Sequence, residues 1–102
     1  PDHLLSRNKG ILKMVRVHVI FSGSVQGVGF RYTTQNFANN LRVTGWVKNL
    51  PDRNVEMVCE GTREQIENLL YKLDKQFEGK IKHKDVDWMD ARKSFRGFEI
   101  TY

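Results

Sequence analysis

The chain has 102 residues, with 17 Lys and Arg against 12 Asp and Glu, and therefore carries a net charge of +5. Apolar residues make up 39% of it and aromatic residues 11%, which is enough to bury the core of one domain and excludes a wholly disordered chain. No stretch approaches the roughly 18 apolar residues of a membrane span, and residues 11–14 are too short for the apolar part of a signal peptide.

The single cysteine, Cys59, excludes an internal disulfide bond and a zinc site made of several thiolates. We expect a reducing compartment, the cytoplasm. The basic excess suits an anionic small molecule as well as a nucleic acid, so charge alone does not choose between these two classes of ligand.

Residues 1–14 show no usable periodicity, and we expect them to be a disordered segment or an extension added for expression. A strand is predicted over residues 15–22, because β-branched and aromatic residues alternate there, with Val17, Val19 and Phe21 on one face.

Three glycines within residues 23–29 predict a loop. A helix follows over residues 30–41, where apolar residues recur along one stripe. Residues 46–50 and 55–60 predict the two strands of a hairpin, and the sequence Pro-Asp-Arg-Asn at residues 51–54 predicts its turn.

The clearest helix begins at Thr62, which forms a capping-box pair with Gln65. Apolar residues follow at helical spacing: Ile66, Leu69, Leu70, Leu73 and Phe77. Weak alternation predicts a strand over residues 84–89, and residues 95–102 predict a short last strand. The order β-α-β-β-α-β predicts a ferredoxin-like α+β sandwich, with two helices on one face of an antiparallel sheet and a short extra C-terminal strand.

The segment from Gly23 to Arg31, GSVQGVGFR, has the composition of an anion site. Glycines allow several backbone N–H groups to turn inward, and a helix start adds unpaired N–H groups and a partial positive charge. The spacing matches neither the dinucleotide fingerprint nor the P-loop. Arg31 opposes the helix dipole at a cost of about 0.3–1 kcal/mol if exposed, which a bound anion would offset. The alternative is an ordinary surface arginine.

A second polar residue, Asn49, shares a strand face with Val47, whose side chain we expect in the core. In the expected fold, the strands over residues 15–22 and 46–50 are parallel, so their C-terminal ends lie at one edge of the sheet. Two strand spacings then put the glycine loop and Asn49 on the order of 10 Å apart, which one small substrate and a water can bridge. The alternative for Asn49 is a strand-end residue that hydrogen-bonds the following turn.

The combined motif resembles the signature of the acylphosphatase family. It consists of Gly23-x-Val25-Gln26-Gly27-Val28-x-Phe30-Arg31 followed by Gly45-x-Val47-x-Asn49. Further matches are Trp46, Pro51-Asp52, Val55-Glu56, Glu60-Gly61 and Phe98-Glu99-Ile100, so the resemblance covers residues 15–102. Two positions depart from the family pattern: Ser24, where many members carry a basic residue, and Arg53, where glycine often occupies the turn.

The resemblance implies a hydrolase without metal or cofactor that splits acyl phosphates into a carboxylate and inorganic phosphate. By position, Arg31 and Asn49 would be catalytic, with Arg31 holding the phosphate and Asn49 orienting the attacking water. Backbone contacts to the phosphate would come from Val25, Gln26, Gly27, Val28, Gly29 and Phe30. We expect a small-molecule acyl phosphate as partner, no nucleic acid, no membrane and a monomer.

Two other functions stay open. The RNA recognition motif has the same topology, and residues 27–32 echo its aromatic motif. That motif belongs on a central strand, however, and here it spans a predicted loop and helix start. The other function is an acylphosphatase-like domain that binds an acyl or carbamoyl phosphate without hydrolysing it. The presence of both Arg31 and Asn49 favours turnover.

Overall fold

The computed structural model describes residues 13–102. The strands are β1 (Met14–Gly23), β2 (Thr44–Asn49), β3 (Val55–Thr62), β4 (Ile81–Asp90) and β5 (Phe98–Thr101). The helices are α1 (Phe30–Leu41) and α2 (Arg63–Gln76). The expected extension over residues 1–14 lies outside the described residues as far as residue 12, and Met14 already belongs to β1.

The strands form one sheet in the order β4-β1-β3-β2-β5. β1 pairs antiparallel with β3 and with β4, and β2 pairs antiparallel with β3. β5 joins the free edge of β2 in parallel, because the chain reverses direction after β4 and then crosses to the far edge. The predicted ferredoxin-like α+β fold is confirmed. The antiparallel pairing holds for the four strands β1 to β4, and β5 makes the whole sheet mixed.

The core lies between the two helices and one face of this sheet. Val17, Val19 and Phe21 of β1 are fully buried in it, as the alternation predicts. The Phe30 ring of α1 lies 4.9 Å from the Phe21 ring and 4.7 Å from the Phe77 ring, measured between centroids. Such aromatic pairs contribute about 0.5–1.5 kcal/mol each beyond their buried area, so the start of α1 is held firmly against the sheet.

The N-terminus of α2 is the one predicted. The Gln65 backbone N–H donates to the Thr62 hydroxyl oxygen at 3.1 Å, and the Thr62 N–H donates to the Gln65 side-chain oxygen at 2.8 Å. This closes both halves of the capping box. The predicted apolar stripe is buried: Ile66, Leu69, Leu70, Leu73 and Phe77. Over residues 13–102, neither helix combines the length and the apolar character that a membrane crossing requires.

The last two strands differ in length from the sequence prediction. β4 starts three residues before residue 84, because its backbone continues to pair with β1 as far as Ile81, over residues that show no two-residue alternation. β5 starts at Phe98 rather than at residue 95, because residues 91–97 form a loop. Glu60 holds that loop on the sheet face opposite the helices, since its carboxylate accepts the backbone N–H groups of Arg92 and Lys93 at 2.7 and 2.9 Å.

Candidate active site

The C-terminal ends of β1 and β2 lie at one edge of the sheet, because both strands pair antiparallel with β3 between them. Residues 24–29 leave β1 at this edge and lead into α1, and Asn49 is the last residue of β2. A cavity of about 110 Å³ lies between them. It is lined by Val25, Gly27, Gly29, Phe30, Arg31, Tyr32 and Asn49. The fold therefore brings the glycine loop, Arg31 and Asn49 to one place.

The backbone of this loop keeps its N–H groups free. Gly27 and Gly29 have φ values of +76° and +78°, which glycine adopts without strain. Within residues 13–102, no backbone N–H from Val25 to Tyr32 has a hydrogen-bond acceptor, whereas the flanking N–H groups of Ser24 and Thr33 donate to carbonyl oxygens at 2.8 and 3.0 Å. N–H groups that are unpaired within the chain can donate to solvent or to a bound anion. We call this row of N–H groups, together with Arg31, the phosphate cradle.

The starts of the two helices differ in a way that points to the same conclusion. The N-cap residue of α1 is Gly29, which has no side chain to bond the first N–H groups, and the first turn contains no acidic residue. The first turn of α2, in contrast, has the Thr62 cap and an acidic residue, Glu64. The partial positive charge at the start of α1 is therefore uncompensated, and an external anion is favoured there.

The Arg31 side chain is half-buried and lines the cavity. No carboxylate of the described residues forms an ion pair with it. Its guanidinium carbon lies 5.0 Å from the centroid of the Tyr102 ring. Stacking on a ring uses one face of the guanidinium and leaves its N–H donors available in the plane. Arg31 therefore has both the charge and the free donors that bidentate binding of a phosphate requires.

Asn49 lies opposite Val55 at the end of β2. Val47, two residues earlier on the same face, is fully buried, so the predicted orientation of this face is confirmed. The Asn49 side chain lines the cavity, and its amide makes no hydrogen bond to the following turn among residues 13–102. An amide carries both donors and an acceptor, so a free amide at this position can orient a water beside a bound phosphate.

Two of the residues predicted to contact a phosphate have side chains directed elsewhere. Gln26 donates from Nε2 to the carbonyl oxygens of Leu50 and Asn54, both at 2.8 Å, and so ties the loop to the turn after β2. Val28 packs against the hydrophobic core. Neither side chain lines the cavity, so these residues can contact a phosphate through the backbone alone.

Sequence reasoning did not single out two aromatic residues of the site. Tyr32 lines the cavity and Tyr102 stacks on Arg31, and both rings are exposed to solvent. Tyr32 directly follows Arg31 in the chain, which was a local signal for its position. The contact of Tyr102 had no local signal, because it joins the last residue described to the first turn of α1.

Other reactive side chains lie away from this cavity. Residues 13–102 contain no cluster of three or more His, Cys, Asp or Glu that could hold a metal ion. Burial, with a smaller contribution from the adjacent Glu60 carboxylate, raises the pKa of the Cys59 thiol to about 12, so this thiol is not a nucleophile at neutral pH. His18 lies on β1 and bonds Glu56 of β3 at 2.7 Å, which is a structural contact across the sheet.

Known proteins are similar to this chain in both sequence and fold. The family model for acylphosphatases matches residues 17–100. An acylphosphatase of Roseiflexus sp. (strain RS-1) is 37% identical over 93 residues, which cover 90% of this chain and 100% of the relative. An acylphosphatase of Trichormus variabilis is 53% identical over 58 residues, and this match spans only 57% of the length of each protein. The crystal structure of acylphosphatase from Bacillus subtilis is similar with a TM-score of 0.80 and 31% identity, covering 86% of this chain and 99% of that chain.

Proposed function

Because this chain belongs to the acylphosphatase family, we propose that it is an enzyme that hydrolyses acyl phosphates to a carboxylate and inorganic phosphate, without a metal or a cofactor. The observation that carries the proposal is the row of unpaired N–H groups from Val25 to Tyr32, on one cavity with Arg31 and Asn49. These groups supply what phosphoryl transfer chiefly requires of a protein, namely positioning and stabilisation of negative charge.

The phosphoryl group of the substrate binds in the phosphate cradle. Backbone N–H groups and the start of α1 surround its oxygens, and the Arg31 guanidinium donates two hydrogen bonds to them. Asn49 holds a water in line with the bond between phosphorus and the acyl oxygen. The cradle exists before substrate arrives, so little reorganisation is needed in the transition state.

In the reaction, the water oxygen forms a new bond to phosphorus while the bond from phosphorus to the acyl oxygen breaks. The electron pair of that bond leaves with the acyl group as a carboxylate. A carboxylate is a good leaving group, so no strong general acid is needed. One water proton passes to a phosphate oxygen of the substrate, and a pH profile that required an enzyme base titrating near neutrality would contradict this step.

The test is hydrolysis of benzoyl phosphate in the presence of a chelator by the parent, Arg31→Ala and Asn49→Ala. We expect Arg31→Ala to lower kcat/KM by about 10²–10³-fold, the effect of removing a preorganised donor to developing charge. Asn49→Ala should lower kcat by about 10²-fold or more while inorganic phosphate still binds, because Asn49 acts on the water rather than on the phosphate. Phosphate binding is measured by calorimetry.

Matched controls are Arg42→Ala and Asn68→Ala, which remove the same side-chain types from exposed positions on α1's C-terminal end and on α2. Both should keep parental activity. A folded parent that binds phosphate but does not hydrolyse benzoyl phosphate would favour the non-catalytic binding domain. A parent that does not bind phosphate either would favour the alternative function of RNA binding. Residues 27–32, however, lie in a loop and a helix start rather than on a central strand.

We also propose that the enzyme works as a monomer in the cytoplasm, on a small-molecule acyl phosphate and without a nucleic-acid or membrane partner. The free, buried thiol of Cys59 suits a reducing compartment. Sedimentation velocity of the full chain tests the monomer, with a dimer at assay concentration as the contradicting result. Cell fractionation tests the location, and a filter-binding assay with single-stranded RNA tests the absence of a nucleic-acid partner.

A further inference from the structure

A second cavity adjoins the phosphate cradle. It measures about 420 Å³, against about 110 Å³ for the first, and Val25 lines both. The other lining residues are Gly23, Ser24, Gln26 and Arg53; we call this space the second cleft. The smaller cavity has about a quarter of the volume of the second cleft, so when a phosphoryl group binds in the smaller cavity, the second cleft is the larger adjoining space for an acyl group.

The turn that contains Arg53 is joined by hydrogen bonds to the glycine loop of residues 23–29. The Gln26 side chain bonds the carbonyl oxygens of Leu50 and Asn54. Inside the turn, the Leu50 N–H donates to the backbone carbonyl oxygen of Asn54 at 2.8 Å, and the Arg53 N–H donates to the backbone carbonyl oxygen of Leu50 at 3.1 Å. The position of the Arg53 backbone relative to the phosphate cradle is therefore fixed, although the Arg53 side chain is exposed.

The positive charge of the Arg53 side chain has no partner among the described residues. Among residues 13–102, its guanidinium makes no ion pair and no hydrogen bond. The adjacent carboxylate, that of Asp52, accepts hydrogen bonds from the backbone and the side chain of Asn54 at 3.0 and 3.1 Å. Arg53 also has a φ of +76°, a backbone conformation that glycine adopts more easily than arginine. The fold itself thus offers no reason for an arginine here.

A second cationic residue, Lys82, lies next to Gly23, one of the residues that line the cleft. A Cβ added to Gly23 would lie 2.8 Å from Cγ of Lys82, so the Lys82 stem passes directly beside the cleft wall. Lys82 is exposed and takes part in no ion pair of the described chain. One unpaired cation, Arg53, therefore lines the cleft that adjoins the phosphate cradle, and a second, Lys82, lies beside its wall residue Gly23.

We propose that Arg53, aided by Lys82, binds a second anionic group on the acyl part of the substrate, so that the enzyme prefers acyl phosphates with a charged acyl group over neutral ones of the same shape. This inference rests on the proposed function, because the phosphoryl end must occupy the cradle for the acyl end to reach Arg53. A guanidinium binds a carboxylate or a phosphate through paired N–H donors, so either group would serve.

The test compares para-carboxybenzoyl phosphate with its neutral isostere, para-carbamoylbenzoyl phosphate, as substrates of the parent, Arg53→Gly and Arg42→Gly. Arg42 is the matched control, because it is also an exposed arginine with positive φ, +62°, and it lies at the C-cap of α1, remote from the cradle. Glycine suits both backbones, and each variant loses one positive charge.

We expect Arg53→Gly to lower the ratio of kcat/KM for the carboxylate over the amide by about fivefold, mainly through KM, as for a solvent-exposed charge pair. The parental preference should shrink at high ionic strength, and Arg42→Gly should keep the parental ratio. The proposal would be overturned if Arg53→Gly kept the parent's ratio of kcat/KM for the carboxylate over the amide, or if this ratio fell equally in Arg53→Gly and Arg42→Gly. Hydrolysis of benzoyl phosphate by the parent is measured first. If the parent does not hydrolyse it, the result contradicts the proposed function rather than the role of Arg53.

Discussion

Glu60 is the buried charge on which the sheet face opposite the helices depends, and its replacement by glutamine should destabilise the fold strongly. Its side chain is almost fully buried, with 1% of the residue exposed. The carboxylate accepts hydrogen bonds from Nε of Arg16 at 2.7 Å and from the backbone N–H groups of Arg92 and Lys93 at 2.7 and 2.9 Å. In Glu60→Gln, an NH₂ group would face one of these three donors, and the Arg16 charge would lose its partner.

The magnitude follows from these contacts. A hydrogen bond to a charged group contributes about 1.5–3 kcal/mol, and breaking a buried ion pair by removing one partner costs about 3–5 kcal/mol. A glutamine oxygen in the place of Oε2 can still accept from Arg16 and Arg92, and the NH₂ group then faces the Lys93 N–H. We therefore expect Glu60→Gln to lower the free energy of unfolding by about 3 kcal/mol at neutral pH, near the lower end of the range for a broken buried pair.

The effect should depend on pH with a definite sign. Burial by itself would raise the pKa of Glu60, but hydrogen bonds from the Arg92 N–H, the Arg16 guanidinium and the Lys93 N–H outweigh burial and lower the pKa. A carboxyl whose pKa is lower in the folded state stabilises fully above its unfolded pKa, about 4.3, and loses this contribution as pH falls through the folded pKa. The difference in stability between the parent and Glu60→Gln should therefore shrink in acid, below about pH 4.3.

Urea denaturation of the parent and Glu60→Gln over a series of pH values measures this difference. Glu67→Gln is the control, because Glu67 is an exposed carboxylate that pairs with Arg63 on the surface of α2 at 3.2 Å, and it should change stability by no more than about 0.5 kcal/mol. A loss below about 1 kcal/mol for Glu60→Gln at neutral pH, the size of one ordinary hydrogen bond, would refute the reasoning. So would a difference that stays constant as the pH falls.

Four smaller effects follow from the same contacts. Gly29→Ala should cost about 1–2 kcal/mol in thermal denaturation and raise KM, since a Cβ meets no atom within 4 Å and the penalty comes from the positive φ. Tyr102→Leu removes the ring under Arg31 and should raise KM for benzoyl phosphate about twofold to fivefold, the size of an exposed cation–π contact. Thr62→Ala should lower stability by about 1 kcal/mol in urea and leave kcat unchanged. Iodoacetamide should label Cys59 at mildly alkaline pH only after unfolding, because the pKa of the thiol is about 12.

Much of the site was predictable from the chain alone. The glycine loop before α1 and the asparagine at the end of β2 were predicted to meet at one sheet edge, and the structure places both on one cavity. This follows from topology, because two strands that both pair antiparallel with the strand between them run in the same direction. The direction of the Gln26 side chain and the stacking of Tyr102 on Arg31 were not predictable, because both contacts join distant parts of the chain and depend on how the loops pack.

The amino-acid sequence by itself determined the elements that depend on near neighbours. The alternation of β1 and the capping box of α2 involve residues two or three positions apart, so their geometry follows from local physical chemistry. Only the tertiary structure decided the parallel pairing of β5 with β2 and the loop that Glu60 holds against the sheet. The partners of Glu60 lie 44, 32 and 33 residues away in the sequence. A buried charge is stable only when its partners are in place, and no local sequence pattern predicts contacts over such separations.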